Sequence, residues 1–254
     1  MSSSKKSILQ DKVITRGAQE GYCRICKQYR ELTRDHVPPK GSIKVSPVEL
    51  RTLGQDKNTK PVISQDGTNF RTICSKCNNT FLGTEYDPEL NKISKKIGSL
   101  IKSSLLLPSQ ISIAVKPQRL ARAIIGHILA SNYHPAASDI KENLPFPEAL
   151  REYFLDRNAF LSKKINIYYW FYPGHREVIL HGAAMGFWKF SERPLIFSLI
   201  KFFPIAYWIT WEEPQDLKIN APTLLQDRNI GIDQVEEIQI KLSNFPRLDF
   251  PEHP

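Results

Sequence analysis

Three segments decide how this chain folds: Cys23-Arg-Ile-Cys26, then Leu32-Thr-Arg-Asp35-His36-Val37-Pro38-Pro39-Lys40, then Asn69-Phe-Arg-Thr-Ile-Cys74-Ser-Lys-Cys77-Asn78-Asn79. The chain's four cysteines all fall into these two Cys-x-x-Cys pairs, 47 residues apart. A redox dithiol needs only one such pair at a helix start. Two pairs, both in polar and charged surroundings, point instead to one tetrahedral zinc ion held by Cys23, Cys26, Cys74 and Cys77. Four thiolates leave no open coordination position, so such a zinc holds a fold and does no chemistry. Residues 32–37 and 70–73 each read as a short strand, and residues from Ser75 onward as the start of a helix. The order is then strand, long loop, strand, helix, with the zinc clamping the two strands and an Asp-His pair facing an Asn on the helix.

Those polar residues could support a specific chemistry. A carboxylate and an amide oxygen are hard ligands, suited to a magnesium ion that keeps water and phosphate in its other positions. A neighbouring histidine titrates near neutrality and can take a proton from water. Asp35 and His36 alternate across a strand, so both serve one site only if the backbone bends there or the substrate crosses the strand edge.

Cys-x-x-Cys, Asp-His-x-x-Pro, and an Asn five residues before a second Cys-x-x-Cys-Asn together resemble the HNH, or ββα-metal, endonucleases over residues 21–83. The resemblance implies a metal-dependent hydrolysis of DNA that leaves 5′-phosphate and 3′-hydroxyl ends. It implies that His36 is the general base, that Asp35 and Asn78 ligate a catalytic Mg²⁺ or Mn²⁺, and that Asn69 orders the loop and positions the base strand. It matches the four cysteines to a structural zinc. Asn79 is the less favoured alternative ligand. Arg34, Lys40, Lys44, Arg71 and Lys76 are candidate phosphate contacts.

Outward from this motif, residues 1–20 read as a basic, weakly ordered leader and residues 21–100 as the zinc-stabilised ββα-metal nuclease domain. Residues 101–254 read as an α+β accessory domain with an antiparallel sheet. A helix is expected over 88–107, with Asp87 as its cap, and another over 118–131. A helical turn is expected near 48–53. In the second helix His127 lies on the apolar face with Leu120, Ala123, Ile124 and Ile128, which makes it a satisfied core residue. Strands are expected at 165–172, 177–181, 184–190, 195–200, 205–211 and 235–242, with Pro173-Gly174 turning a hairpin between the first two. The aromatic run at 168–172 could stack bases, but reads better as core strand.

Composition bounds the function. The chain has 254 residues, of which 41% are hydrophobic, and four cysteines, which excludes a disordered chain and a disulfide scaffold. Residues 1–100 carry 18 Lys+Arg against 10 Asp+Glu, and the rest 17 against 16, so the basic half is the one that would meet a polyanion. The apolar run 195–211 is short of a membrane span and contains Lys201 and Pro204, so it reads as two buried strands. No signal-peptide h-region follows Met1, and a cytoplasmic protein without a membrane partner is expected. DNA is the expected partner, with a regulatory protein or a second copy as further ones. The competing reading is a non-catalytic zinc module binding nucleic acid or protein. A third reading makes the C-terminal region a ligand sensor or docking domain controlling the nuclease, as in phage defence or a mobile element.

Overall fold

The cysteine-bearing region is built from short strands. The computed structural model describes residues 17–51, 60–103, 106–131, 144–185, 194–214, 219–243, 245–248 and 250–251. Strands β1 (Glu20–Tyr22) and β2 (Tyr29–His36) pair antiparallel around the first cysteine knuckle. In the long loop, β3 (Val48–Leu50) pairs with β4 (Val62–Ser64). Over Val48–Leu50 the helical turn expected near 48–53 is thus a strand, since Val48 and Leu50 flank Glu49 with a period of two; residues 52–53 lie outside the described residues. Strand β5 (Asn69–Cys74) completes a sheet of order β1-β2-β5. A π-helical stretch, Lys76–Tyr86, then runs directly into α1 (Asp87–Ile101). The strand, loop, strand, helix order read from the sequence is present.

Two helix boundaries differ from expectation. Asp87 does not cap α1, because a cap needs extended backbone, whereas Asp87 is helical (φ −57°, ψ −30°) and its N–H bonds Leu82 O across the junction. The helix also stops at Ile101, short of 107, and Leu107 is exposed. Strand β6 (Gln110–Val115) follows, then α2 (Pro117–Ala130) and α3 (Pro145–Leu155).

Helix α2 is the centre of the molecule. Every residue from Pro117 to Ala130 except Arg119 is buried, as expected of a helix that packs on all sides. Gly126 permits this, since a Cβ there would sit 2.5 Å from both Leu82 and Phe154 side chains. Buried Arg122 donates to Asp156 O, Arg157 O and Ala159 O just past α3, which satisfies carbonyls at that helix end.

The C-terminal half holds β7 (Ile165–Phe171), β8 (Val178–Met185), β9 (Leu195–Phe202), β10 (Ile205–Trp211) and β11 (Glu236–Lys241). The first four form an antiparallel sheet of order β7-β10-β9-β8, and β11 pairs with β6. The expected hairpin at Pro173-Gly174 is therefore absent: β7 and β8 lie on opposite edges. The hairpin is instead β9–β10, turning at Phe203-Pro204, and β10 takes a central place because it is apolar on both faces. The strands expected at 177–181 and 184–190 are one strand over 178–185, bulged between Leu180 and Ala183, where Gly182 supplies φ +57°; residues 186–190 lie outside the described residues. Residues 195–211 are two buried strands, as read, and among the described residues no helix is long and apolar enough to cross a membrane. Tyr169, Trp170, Phe171 and Tyr172 are core residues.

One apolar core runs across residue 100, from Cys23 and Ile73 through α2 to Ile209 and Ile240. A second cluster around Trp170, Leu199 and Trp208 covers the far face of the sheet. Buried Lys201 pins the C-terminal segment by donating to Leu248 O and Phe250 O.

The contact between β8 and α2 has a pH signature. His181 Nδ1–H donates to Ile128 O at 3.1 Å, and burial holds the ring down at about 4. The ring is neutral in the native state but would charge near 6.5 when unfolded. Its contribution is therefore complete above pH 6.5 and lost as pH falls toward 4, up to about 3 kcal/mol. A His181→Asn variant keeps the N–H donor without the titration. Urea denaturation of this variant between pH 6.5 and 4 is expected to show a shallower acid limb than wild type.

Candidate metal and hydrolytic centre

The four cysteines converge. Cys23 and Cys26 sit in the turn between β1 and β2, Cys74 ends β5, and Cys77 lies in the first π-helical turn. Their sulfurs all lie within 4.8 Å of one another, none in a disulfide. Cys26 Sγ and Cys74 Sγ are 3.8 Å apart, matching the roughly 3.8 Å edge of a tetrahedron with zinc–sulfur arms of about 2.3 Å. The knuckle is pre-shaped by Lys27 at φ 56° and by Lys27 N–H on Cys23 O at 2.9 Å. Cys77 hydrogen-bonds Cys23, drawing the Cys23 thiol down and pushing its own up, with burial adding to the rise. Four such groups ionise together only around a cation, and this group suits a structural zinc.

The knuckle also shapes the strand beside it. Pairing of β2 with β5 slips after Thr33↔Ile73, so that Arg34 faces Arg71 and Thr72 is the extra residue. Thr72 is held out of the ladder by Arg24 N–H on its carbonyl and by its own hydroxyl on Ala130 O. The extra residue is on β5, opposite the strand that carries Asp35 and His36. Asp35 and His36 both line a cleft of about 510 Å³ together with Asn69, Asn78 and Asp87.

His36 is half-buried, and its Nε2 lies 3.0 Å from Asp66 O. A carbonyl only accepts, so Nε2 carries the proton in the neutral ring and Nδ1 keeps its lone pair. Burial, reinforced by Lys40, lowers the His36 pKa below its ordinary value, which favours this neutral form. Asn78 Nδ2 donates to Thr33 Oγ1 and Arg34 O, both at 3.0 Å. Because Arg34 O cannot donate, the amide orientation is fixed and the carboxamide oxygen is left as an acceptor. Asn69 is buried opposite His36 in register and donates to Gly67 O at 3.3 Å. Asn79 instead donates to Ser75 Oγ.

Asp35 is 4% exposed. Its Oδ2 accepts from His127 Nδ1 at 2.9 Å, and His127 Nε2 donates to Asp87 Oδ1, also at 2.9 Å. Burial raises the Asp35 pKa, with His127 pulling against it. Burial also opposes charge on His127, but the Asp35 and Asp87 carboxylates overcome it and push the ring up to about 10. His127 is thus a satisfied core residue, as its apolar helix face implied. Its partners, 92 and 40 residues away, could not be read from the sequence. The only signal was a pair of polar residues, Asp87 and His127, set among the inward-facing positions of two helices.

Among the expected phosphate contacts, Arg34 and Lys40 line the cleft, Arg34 lying 3.9 Å from Asp66. Arg71 lies on β5 and Lys76 stands over the Phe81 ring, both outside the cleft lining. Lys44 belongs to a larger cleft of about 1240 Å³, where Lys95 of α1, Lys102 just past its end and Arg176 also lie. One turn divides the two clefts: Pro39 and Lys40 line the smaller, Gly41 and Ser42 the larger. The chain matches no protein family model, no curated protein and no solved structure.

Proposed function

We propose that the protein is a metal-dependent endonuclease that hydrolyses DNA phosphodiester bonds, with an HNH-type centre at Asp35, His36, Asn69 and Asn78. The observation that carries this reading is the meeting, in one cleft, of a histidine whose Nδ1 takes no hydrogen bond among the described residues and two hard oxygen donors. A zinc-held binding surface has no need of that set. Asp35 and Asn78 fit a hard divalent cation by donor chemistry: a carboxylate and an oriented amide oxygen beside open solvent. When bound, Mg²⁺ or Mn²⁺ would stabilise the charge on the phosphate and on the departing oxygen. The chain's own residues do the rest. His36 Nδ1 takes the proton of a water placed to attack phosphorus. Asp66 O holds the ring's orientation through Nε2. Arg34 and Lys40 balance phosphate charge at the cleft wall. Departure of the 3′ oxygen leaves a 5′-phosphate.

The larger cleft supplies a path for the flanking backbone, since Lys44, Lys95, Lys102 and Arg176 converge there from three separate segments. Replacing both Lys95 and Lys102 by Gln is expected to flatten the dependence of log affinity on log salt by about 2, one for each lost contact. Fluorescence anisotropy on a labelled duplex checks this; an unchanged slope removes the cleft from the path. The reading as a whole is tested with end-labelled single- and double-stranded DNA and with RNA. The expected result is Mg²⁺-dependent scission of DNA to 5′-phosphate ends, and intact substrates at every metal concentration would overturn it.

A further inference from the structure

We infer that His127 is a positioning residue of this centre, fixing the carboxylate of Asp35 from behind while Asp87 fixes His127. The inference rests on the hydrolytic reading above and adds residues to it that the motif does not contain. The starting fact is geometric. His127 is fully buried on α2, and both its ring nitrogens lie 2.9 Å from carboxylate oxygens. Ionised carboxylates only accept, so a ring that bonds both must donate from both nitrogens. The ring can therefore neither flip nor slide without losing a bond in a dry interior, where an unmet polar group is costly.

This lock acts on one atom of Asp35. With Oδ2 committed to His127, the carboxylate has a single orientation at the cleft wall, and Oδ1 takes no hydrogen bond among the described residues. The partners come from three elements that zinc alone does not connect: Asp35 from β2, Asp87 from the start of α1 and His127 from α2. The unbroken π-to-α junction sets Asp87 in place, and the close approach at Gly126 lets α2 reach it.

His127→Ala would leave two buried carboxylates uncompensated and can fail to fold, so the tests are Asp87→Asn, which keeps an acceptor for Nε2, and His127→Gln, which keeps a donor for one of the two carboxylates. Zinc content at one ion per chain controls for folding. Mn²⁺ is titrated into zinc-loaded protein without DNA and followed by the electron paramagnetic resonance of free Mn²⁺. Cleavage is followed separately against Mg²⁺ concentration. The expected result is Mn²⁺ binding weakened about 10- to 100-fold in both variants, the usual cost of removing a group that orients a ligand. The Mg²⁺ needed for half-maximal cleavage should rise in parallel, with the rate largely recovered at saturating metal. A merely structural His127 would lower the melting temperature and leave Mn²⁺ affinity alone. Zinc-loaded variants that bind Mn²⁺ like wild type overturn the inference, as does a wild type that binds none. Weakened Mn²⁺ binding with no cleavage by wild type upholds the positioning role and overturns the nuclease reading instead.

Discussion

Replacing His36 with alanine is expected to leave a folded, zinc-loaded, DNA-binding protein that cuts DNA at least about 100-fold more slowly, and as much as 10,000-fold, the usual range for a lost general base. The direction follows from where His36 stands. It is half-buried at the end of β2 and among the described residues makes one side-chain hydrogen bond, to Asp66 O, so its loss costs little stability. The zinc knuckle, the β2–β5 bulge and the Asp35–His127–Asp87 chain do not depend on it. The cationic side chains of both clefts remain, so affinity should stay within a few-fold. Single-turnover cleavage and anisotropy on the same duplex separate the two effects. The lowered His36 pKa adds a pH signature: the wild-type rate should reach its plateau below the pH at which a free imidazole would. A rate in the variant that matches wild type would mean that another group takes the proton.

Replacing Cys74 with serine is expected to have the largest structural effect. Cys23, Cys74 and Cys77 are buried, and three of the four cysteines lie in turns or at a strand end. In small zinc-held units, apparent binding energies of about 10–16 kcal/mol are folding energy. Part of the larger core would survive here, because α2 and the four-stranded sheet contribute none of the four cysteines. The variant should therefore lose zinc and the cooperative order of β1, β2 and β5 while keeping its C-terminal sheet. Because Arg24 N–H of the knuckle binds Thr72 O, the β2–β5 bulge next to Asp35 and His36 is expected to be lost with it. Cobalt substitution gives the readout: thiolate-to-cobalt absorption in wild type and its collapse in the variant. A variant that keeps full metal and full protease resistance over residues 20–86 would show that the sheet stands without the ion.

How much of this could be read in advance depended on the range of the interaction. The four-cysteine cluster and the meeting of Asp35, His36 and Asn78 in one cleft were legible because knuckles, short strands and a helix start all have local signatures. The two buried strands at 195–211 were legible for the same reason. The hairpin at Pro173-Gly174 was misread because a turn signal says that the chain bends, not which strand it next pairs with; the apolar demand of β10 for two neighbours decided that. Strand β6 went unread although Ile111, Ile113 and Val115 alternate, because its partner β11 lies some 120 residues away. Asp87 looked like a helix cap because Asp-Pro before an amphipathic helix usually is one. Only the continuous helix before it, and His127 on the helix beyond, turn it inward. Local chemistry was readable, and the groups that hold it from a distance were not.

The most direct measurement is the conversion of supercoiled plasmid by wild-type protein whose zinc content is measured in the same sample. Mg²⁺ is titrated against protein carrying one zinc per chain, with an EDTA arm short enough for the zinc to stay bound. Nicked circles are expected to appear with added Mg²⁺, and none in the EDTA arm. Fully zinc-loaded protein that binds Mn²⁺ and DNA yet leaves the plasmid supercoiled at every Mg²⁺ and Mn²⁺ concentration would contradict the nuclease reading.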